Sequence, residues 1–420
     1  MFLVSCALLL IGNFSGGRKQ LEAVSIDPQQ QVSTTYKKVG ELDSLSFSSS
    51  TEYNFGYQAL TDTNERFVYL KLQRNLRYIT DDISEKGYFK TERVVVTGTE
   101  MSETSIRRAM NAYISDHPQV FWISNVFGYA YDEGNTIIEC YSVIDAEECS
   151  KCSEMLANAV DRFVSGINND MSAYEKEKIL HDRLLNQCTY AESIGSMADG
   201  WEYFTAYGAM INGTAVCEGY SKAMQLLLSR AGVPNYTLRG YADGIRHMWN
   251  VVQIDGAWYH LDLTWDDGMD VINYEYFNLK TEMIEENHTI DPLVYTEGED
   301  PDSPNFFIPE CLHLTHNYYH VEGVMVYDFD NSSDRKIVDH IVNAVNNGES
   351  FVYLSFGSDK SYEEYINILF NSPDYRLYRY IEAANEQLPE RLKLSREGMK
   401  MLKHESWRTV RIKLKLKYDN

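Results

Sequence analysis

Two residues in the middle of the chain, Asp255 and Gly256, constrain its fold more than any others. They separate HMWNVVQI (residues 247–254) from AWYHLDLT (257–264), two runs rich in β-branched and aromatic residues. Asp-Gly between such runs specifies a two-residue hairpin turn, whose central positions both need positive φ. A two-residue turn fixes the register. Ile254 faces Ala257, Trp249 faces Asp262, and His247 faces Thr264. His247 and Asp262 become diagonal neighbours on one face, within side-chain reach. A carboxylate there accepts from one imidazole nitrogen and aims the other outward. Trp249 and His260 share this face, His260 too near the turn to reach His247. Asn250 and Trp265 point to the opposite face and tie the hairpin to its neighbours.

Cys217 opens a run in which Tyr220, Ala223, Met224, Leu227, Leu228 and Ala231 recur at helical spacing. Gly232 and Pro234 end it. The cysteine therefore sits at a helix N-terminus, where free N–H groups and the macrodipole favour the thiolate, the nucleophilic form. Its own N–H can face a developing oxyanion. Most lone cysteines are small buried hydrophobes; the histidine and carboxylate downstream give this one a nucleophile–base–orienter pattern.

At 420 residues the chain is too long for one ordinary domain. With 44% hydrophobic and 24% charged residues it can bury cores. A net charge of −24 repels phosphate backbones and anionic lipid surfaces, arguing against nucleic-acid and membrane-surface partners. No apolar run is long enough for a spanning helix. Met1–Gly12 (MFLVSCALLLIG) suits an export leader without the usual basic start, and Leu3-Val4-Ser5-Cys6 resembles a lipobox placed very close to Met1. The expectation is an exported or cell-surface protein with Cys6 as a lipid-anchor candidate. Seven scattered cysteines make no disulfide framework, and Cys149-Ser-Lys-Cys152 has no second ligand pair for zinc. Asp266–Asp270 (DDGMD) is too short for a calcium loop. No cofactor or metal is expected.

The order of elements is read as follows. Residues 1–50 are a possible leader and a polar linker rich in Ser, Gln and Thr. Residues 51–150 form an α/β unit, with a helix over 102–116 and strands over 120–131 and 136–143. Residues 151–295 form the Cys217 domain, with helices over 153–167 and 172–187. An acidic, Pro-bearing stretch at 295–305 is a linker, and 310–420 form a second α/β unit. There, Val410, Ile412, Leu414 and Leu416 alternate with Arg411, Lys413, Lys415 and Lys417, which reads as an edge strand guarded by lysines.

GTAVCEGYSKAMQLLLSRAGVP (213–234) followed by RHMWNVVQIDGAWYHLDLTWDD (246–267) resembles the bacterial branch of the transglutaminase-like superfamily. His181-Asp182, Tyr207 in AYGAMING, and YFNL with His288 look similar to that family, as does DHPQVFW in the preceding unit. The likeness covers about residues 170–290. Met248 departs from it, since the residue after the histidine is ordinarily small. The resemblance implies an α+β, papain-like core in which a helix carrying Cys packs on an antiparallel sheet. It implies a triad of Cys217, His247 and Asp262 acting by thiol acyl transfer on a protein or peptide, cell-wall peptide included, as peptidase, amidase or cross-linker. Tyr207 and Asn212 are candidates for the oxyanion, and Trp249 for the substrate tunnel. His181 and His260 read as structural. The rival is a non-catalytic cell-surface or cell-wall binding module that keeps the fold. Oligomeric state is not legible.

Overall fold

The computed structural model describes residues 21–30, 35–40, 54–192, 194, 200–268, 272–294, 305–327, 331–370 and 375–418. The leader, with Cys6, and the linker at 295–304 lie outside these residues. Contacts divide the chain into two units, one of residues 1–276 and 280–312, the other of 277–279 and 313–420.

The first unit begins with a seven-stranded sheet. Its elements are β1 (Glu22–Ser25), β2 (Lys37–Lys38), α1 (Phe55–Ala59), α2 (Thr63–Asn75), β3 (Tyr78–Ile83), β4 (Phe89–Thr91), β5 (Val94–Val96), α3 (Glu103–Asp116), β6 (Ile123–Asp132) and β7 (Asn135–Ser142). The sheet runs β1–β6–β7–β4–β3–β2, with β5 also on β7. The polar stretch read as a linker therefore contributes two strands: β1 pairs in parallel with β6, and β2 pairs with β3. Ser102 caps α3 as its spacing predicts, its side chain accepting from the Ser105 N–H.

Next come α4 (Ala146–Phe163), α5 (Ala173–Leu185), β8 (Thr189–Tyr190), β9 (Thr214–Ala215), α6 (Cys217–Arg230), β10 (Asn235–Ala242), β11 (Ile245–Ile254), β12 (Ala257–Leu261) and α7 (Leu263–Asp266). Helix α4 starts well before the expected 153, because Asp145 caps it. Cys149 and Cys152 thus lie inside a helix, buried and unbridged. Ser172 and Glu175 form a capping box on α5. Helix α6 is buried on every side from Cys217 to Leu228, the pattern of a central helix. It packs on β10 and β11 on one side and on α4 and α5 on others. Gln225 on α6 donates to the Ser115 carbonyl of α3, so the elements before residue 150 meet the central helix directly.

The second unit takes β13 (Phe277–Leu279) from the middle of the chain. The first unit then adds α8 (Thr281–Ile284) and β14 (His288–Ile290), and its second sheet carries the strand order β14–β10–β11–β12. The remaining elements belong to the second unit: α9 (Tyr318–Val321), β15 (Val324–Val326), α10 (Asn331–Asn346), β16 (Phe351–Phe356), α11 (Asp359–Phe370), α12 (Arg376–Gln387), β17 (Lys400–His404) and β18 (Thr409–Lys413). Its sheet order is β15–β16–β18–β17. The last strand is not an edge. Val410 and Ile412 bury into the core, while Arg411 and Lys413 lie over the Phe351 ring. The alternation that suggests a guarded edge is that of an interior strand whose long cations cover an aromatic ring.

Candidate functional site

The Asp-Gly hairpin forms as read. Asp255 and Gly256 have φ of 49° and 82°, a pair of positive angles that Gly supplies without strain. The ladder pairs Ile254 with Ala257, Val251 with His260 and Asn250 with Leu261. Beyond Leu261 the chain departs from the simple extrapolation. Asp262 becomes the N-cap of α7, its Oδ1 accepting from the Thr264 and Trp265 N–H groups at 3.0 and 3.3 Å. Thr264 therefore does not face His247, and Trp265 does not lie across the hairpin; it packs on Tyr276 and His288.

The cap leaves the second carboxylate oxygen for side chains. His247 Nε2 lies 2.6 Å from Asp262 Oδ2. On its other side the His247 ring hydrogen-bonds the Cys217 thiol. Burial opposes a charge on His247, but the Asp262 carboxylate and a Cys217 thiolate raise it to about 10. Asp262 shows the mirror image: burial works against ionisation, while His247 and His288 hold it well below the usual carboxylate range.

The start of α6 is fixed from several directions. Strand β9 pairs in parallel with β8. The Val216 N–H donates to the Tyr203 carbonyl. Ser221 Oγ lies 2.8 Å from the Cys217 carbonyl and 2.9 Å from that of Met248, and Asn250 Nδ2 donates to the Ser221 carbonyl. The helix is thus bolted to the strand that carries His247. Gly219 permits a further close approach: a Cβ there would meet Ala215 Cβ and the Tyr203 carbonyl oxygen at 2.7 Å each.

Other expected residues fall elsewhere. Trp249 is fully buried, stacked 6.0 Å from the His247 ring and donating from Nε1 to His260 Nδ1 at 3.1 Å. It lies against the histidine with its indole N–H spent on a buried acceptor. His260, bonded also to Thr281, is pushed down to about 3 by burial and by His288. Tyr207 directs its hydroxyl to Met155 and Cys152 on α4, its ring against Phe121 and Trp201. It is a packing residue there, not a donor turned toward Cys217. Asn212 ends a π-turn at residues 208–212 and is exposed. His181 is buried between Asp182 and Asp266, at 3.0 and 3.4 Å.

Two residues at the site carried no assigned role in the sequence reading. Tyr190, on β8, is close enough to Cys217 and Asp262 that, after burial, their charges push its phenol up. Its ring stacks on Tyr220 and remains 39% exposed, whereas Cys217 is 1% exposed, so Tyr190 stands at the solvent side of the thiol. His288, on β14, places Nε2 3.0 Å from Asp262 Oδ2. His247, Asp262 and His288 also bring ligand-type atoms within 4.8 Å of one another. His247 Nε2 and His288 Nε2 both sit at hydrogen-bond distance from one oxygen, Asp262 Oδ2.

Residues 160–263, which span all three of Cys217, His247 and Asp262, match the Transglutaminase-like superfamily. The chain is similar to the Kyphoscoliosis peptidases of Homo sapiens and Mus musculus, at 29% and 28% identity, over 25% of this chain and 18% of each of theirs. It therefore spans less than a fifth of the length of those curated relatives. A crystal structure of a TGase aligns over 50% of this chain and 61% of that one, at 16% identity and a TM-score of 0.25. Among the described residues no helix is long and apolar enough to cross a membrane.

Proposed function

We propose that this chain, which carries a transglutaminase-like superfamily domain, is a thiol acyl-transfer enzyme acting on peptide or carboxamide bonds through Cys217, His247 and Asp262. The observation that carries the reading is the double bonding of His247. One nitrogen is held 2.6 Å from a buried carboxylate, and the ring also bonds a thiol at the first turn of α6. Cys217 gives its proton to His247 Nδ1, and the thiolate attacks the substrate carbonyl. The oxyanion that forms faces the N–H groups at the start of α6. Collapse breaks the C–N bond, and His247 returns the proton to the leaving amine. The thioester is resolved by water or by a second amine, activated by the same histidine. Water gives a peptidase or amidase, and an amine gives a cross-linker. The exported location, the division at 51–150, 151–295 and 310–420, and flanking units that position a protein or wall peptide belong to the same proposal.

The test is alkylation of Cys217 by iodoacetamide across pH, read by peptide mass spectrometry. Cys217 should react well below the free-thiol range of about 8.5. His247→Ala should move that reactivity to higher pH. In paired assays of peptide hydrolysis and fluorescent-amine incorporation, Cys217→Ala should abolish turnover. Asp262→Asn should lower it by roughly two to three orders of magnitude, less than in a serine triad because Cys and His pair unaided. If Cys217 at pH 6 reacts no faster than Cys188 or Cys311, the reading fails and a non-catalytic module takes its place.

A further inference from the structure

Asp262 has both oxygens engaged. Oδ1 accepts from two backbone amides of α7, and Oδ2 faces His247 at 2.6 Å and His288 at 3.0 Å. A carboxylate offers about four acceptor positions, so this one is saturated. The backbone bonds fix its orientation without help from either histidine. What the two imidazoles divide is the charge on one oxygen.

His288 is held to this task from three directions. Strand β14 pairs with β10, setting Ala242 opposite His288. Nδ1 lies 2.5 Å from the amide oxygen Oδ1 of Asn287, whose Nδ2 donates to the Tyr276 hydroxyl at 2.6 Å. The ring meets Trp249 edge-on at 5.2 Å, His247 at 5.4 Å and Trp265 at 4.9 Å. Its side chain is fully buried. A ring so confined can turn only one nitrogen to Asp262.

We propose that His288 is a positioning residue that shares Asp262 Oδ2 with His247 and so sets how much of the carboxylate's charge His247 receives. This rests on the triad reading above. When His288 donates, it draws on the charge that would stabilise the His247 imidazolium. When it does not, His247 holds its proton more tightly and becomes a poorer acid toward a leaving amine. The other titratable groups facing the pair are Cys217 on α6, Tyr190 on β8, Tyr276 ahead of α8, Asp266 one turn past Asp262, and His260 beyond Trp249. The variants keep all five residues, and among them removal of His288 relieves the lowering of His260.

The experiment is the pH profile of Cys217 alkylation by iodoacetamide in the full chain, with peptide-level readout. Its upper inflection marks His247 giving up its proton. His288→Phe and His288→Asn both remove an N–H at the Nε2 position, and His288→Gln keeps one there. Phe and Asn should move the upper inflection to higher pH by about one unit, a share of a charged hydrogen bond. Gln should return it close to the parent. Should the Phe variant not fold, the smaller polar Asn carries the same comparison. An upper inflection unmoved in Asn or Phe, or a Gln variant that behaves like them, overturns the proposal and leaves His288 as packing. If Cys217 of the parent shows no reactivity window at all, the triad reading has failed and this inference fails with it. An activated parent with an unmoved His288→Asn defeats this inference alone.

Discussion

At the scale of single residues, the site consists of a thiol and its partners held almost entirely out of water. Cys217 is 1% exposed, and among the described residues Tyr190, 39% exposed, stands on its solvent side. Replacing Tyr190 by Ala removes that cover and one face of the Tyr190–Tyr220 stack. Alkylation of Cys217 by iodoacetamide at pH 7 should rise several-fold, while the pH of half-maximal rate moves little, because His247 and Asp262 stay in place. An unchanged or slower rate would mean that Tyr190 does not stand in the path. The same residue shows where sequence reading stops. Cys217, His247 and Asp262 were legible because a helix start and a turn type locate them through local chemistry. Tyr190 reaches the site through a two-residue parallel pairing of β8 with β9, and no periodicity marks so short a strand. His288 arrives on a strand of three residues whose partner, β10, lies far back in the chain.

At the scale of elements, α6 and the β11–β12 hairpin decide whether those residues meet. The hairpin was legible to the residue up to Leu261. It failed at Asp262, where a capping carboxylate turns the chain into α7, a competition between ladder and cap that the local β pattern does not reveal. Strands β1 and β2 carry no local sequence signal for another reason. They are short and polar, and β1 pairs in parallel with a strand far along the chain. The start of α6 depends on Gly219. In Gly219→Ala the new methyl would meet the Tyr203 carbonyl oxygen at 2.7 Å and that of Thr205 at 3.1 Å, neither able to retreat like a flexible side-chain tip. Overpacking of this kind costs about 1–3 kcal/mol. Denaturant unfolding should show that loss, and the displaced helix start should slow Cys217 alkylation at pH 6. Parental stability together with parental reactivity would show that the backbone gives way without cost.

At the scale of the whole molecule, the fold buries two histidines, His117 and His260, that it keeps neutral. Burial lowers His117 to about 4, and burial with His288 lowers His260 to about 3. Both folded-state values lie below the unfolded one near 6.5. At these two sites the unfolded chain binds more protons in between, so their contribution is full above about pH 6.5 and falls as pH drops toward 4, while Asp116 and Asp266, which burial raises to about 7, work in the opposite direction over the same range. Each group contributes a slope of about 1.4 kcal/mol per pH unit inside that window. In chemical denaturation at pH 7, 5.5 and 4.5, His117→Phe should gain stability relative to the parent as the pH falls, because the contribution lost from His117 is no longer at stake. A difference between variant and parent that stays the same from pH 7 to 4.5 would contradict it. The second unit carries a different dependence, set by the position of β18 between β16 and β17. Synthesis delivers β16 and β17 to the nascent chain before the strand that joins them. Until Thr409–Lys413 leave the ribosome, each has a bare ladder edge and no neighbour to fill it. The last two strands therefore join the sheet together: without Thr409–Lys413, β17 has no ladder partner and β16 keeps one bare edge, so a ribosome that stalls before Thr409 leaves a nascent chain with a sticky edge.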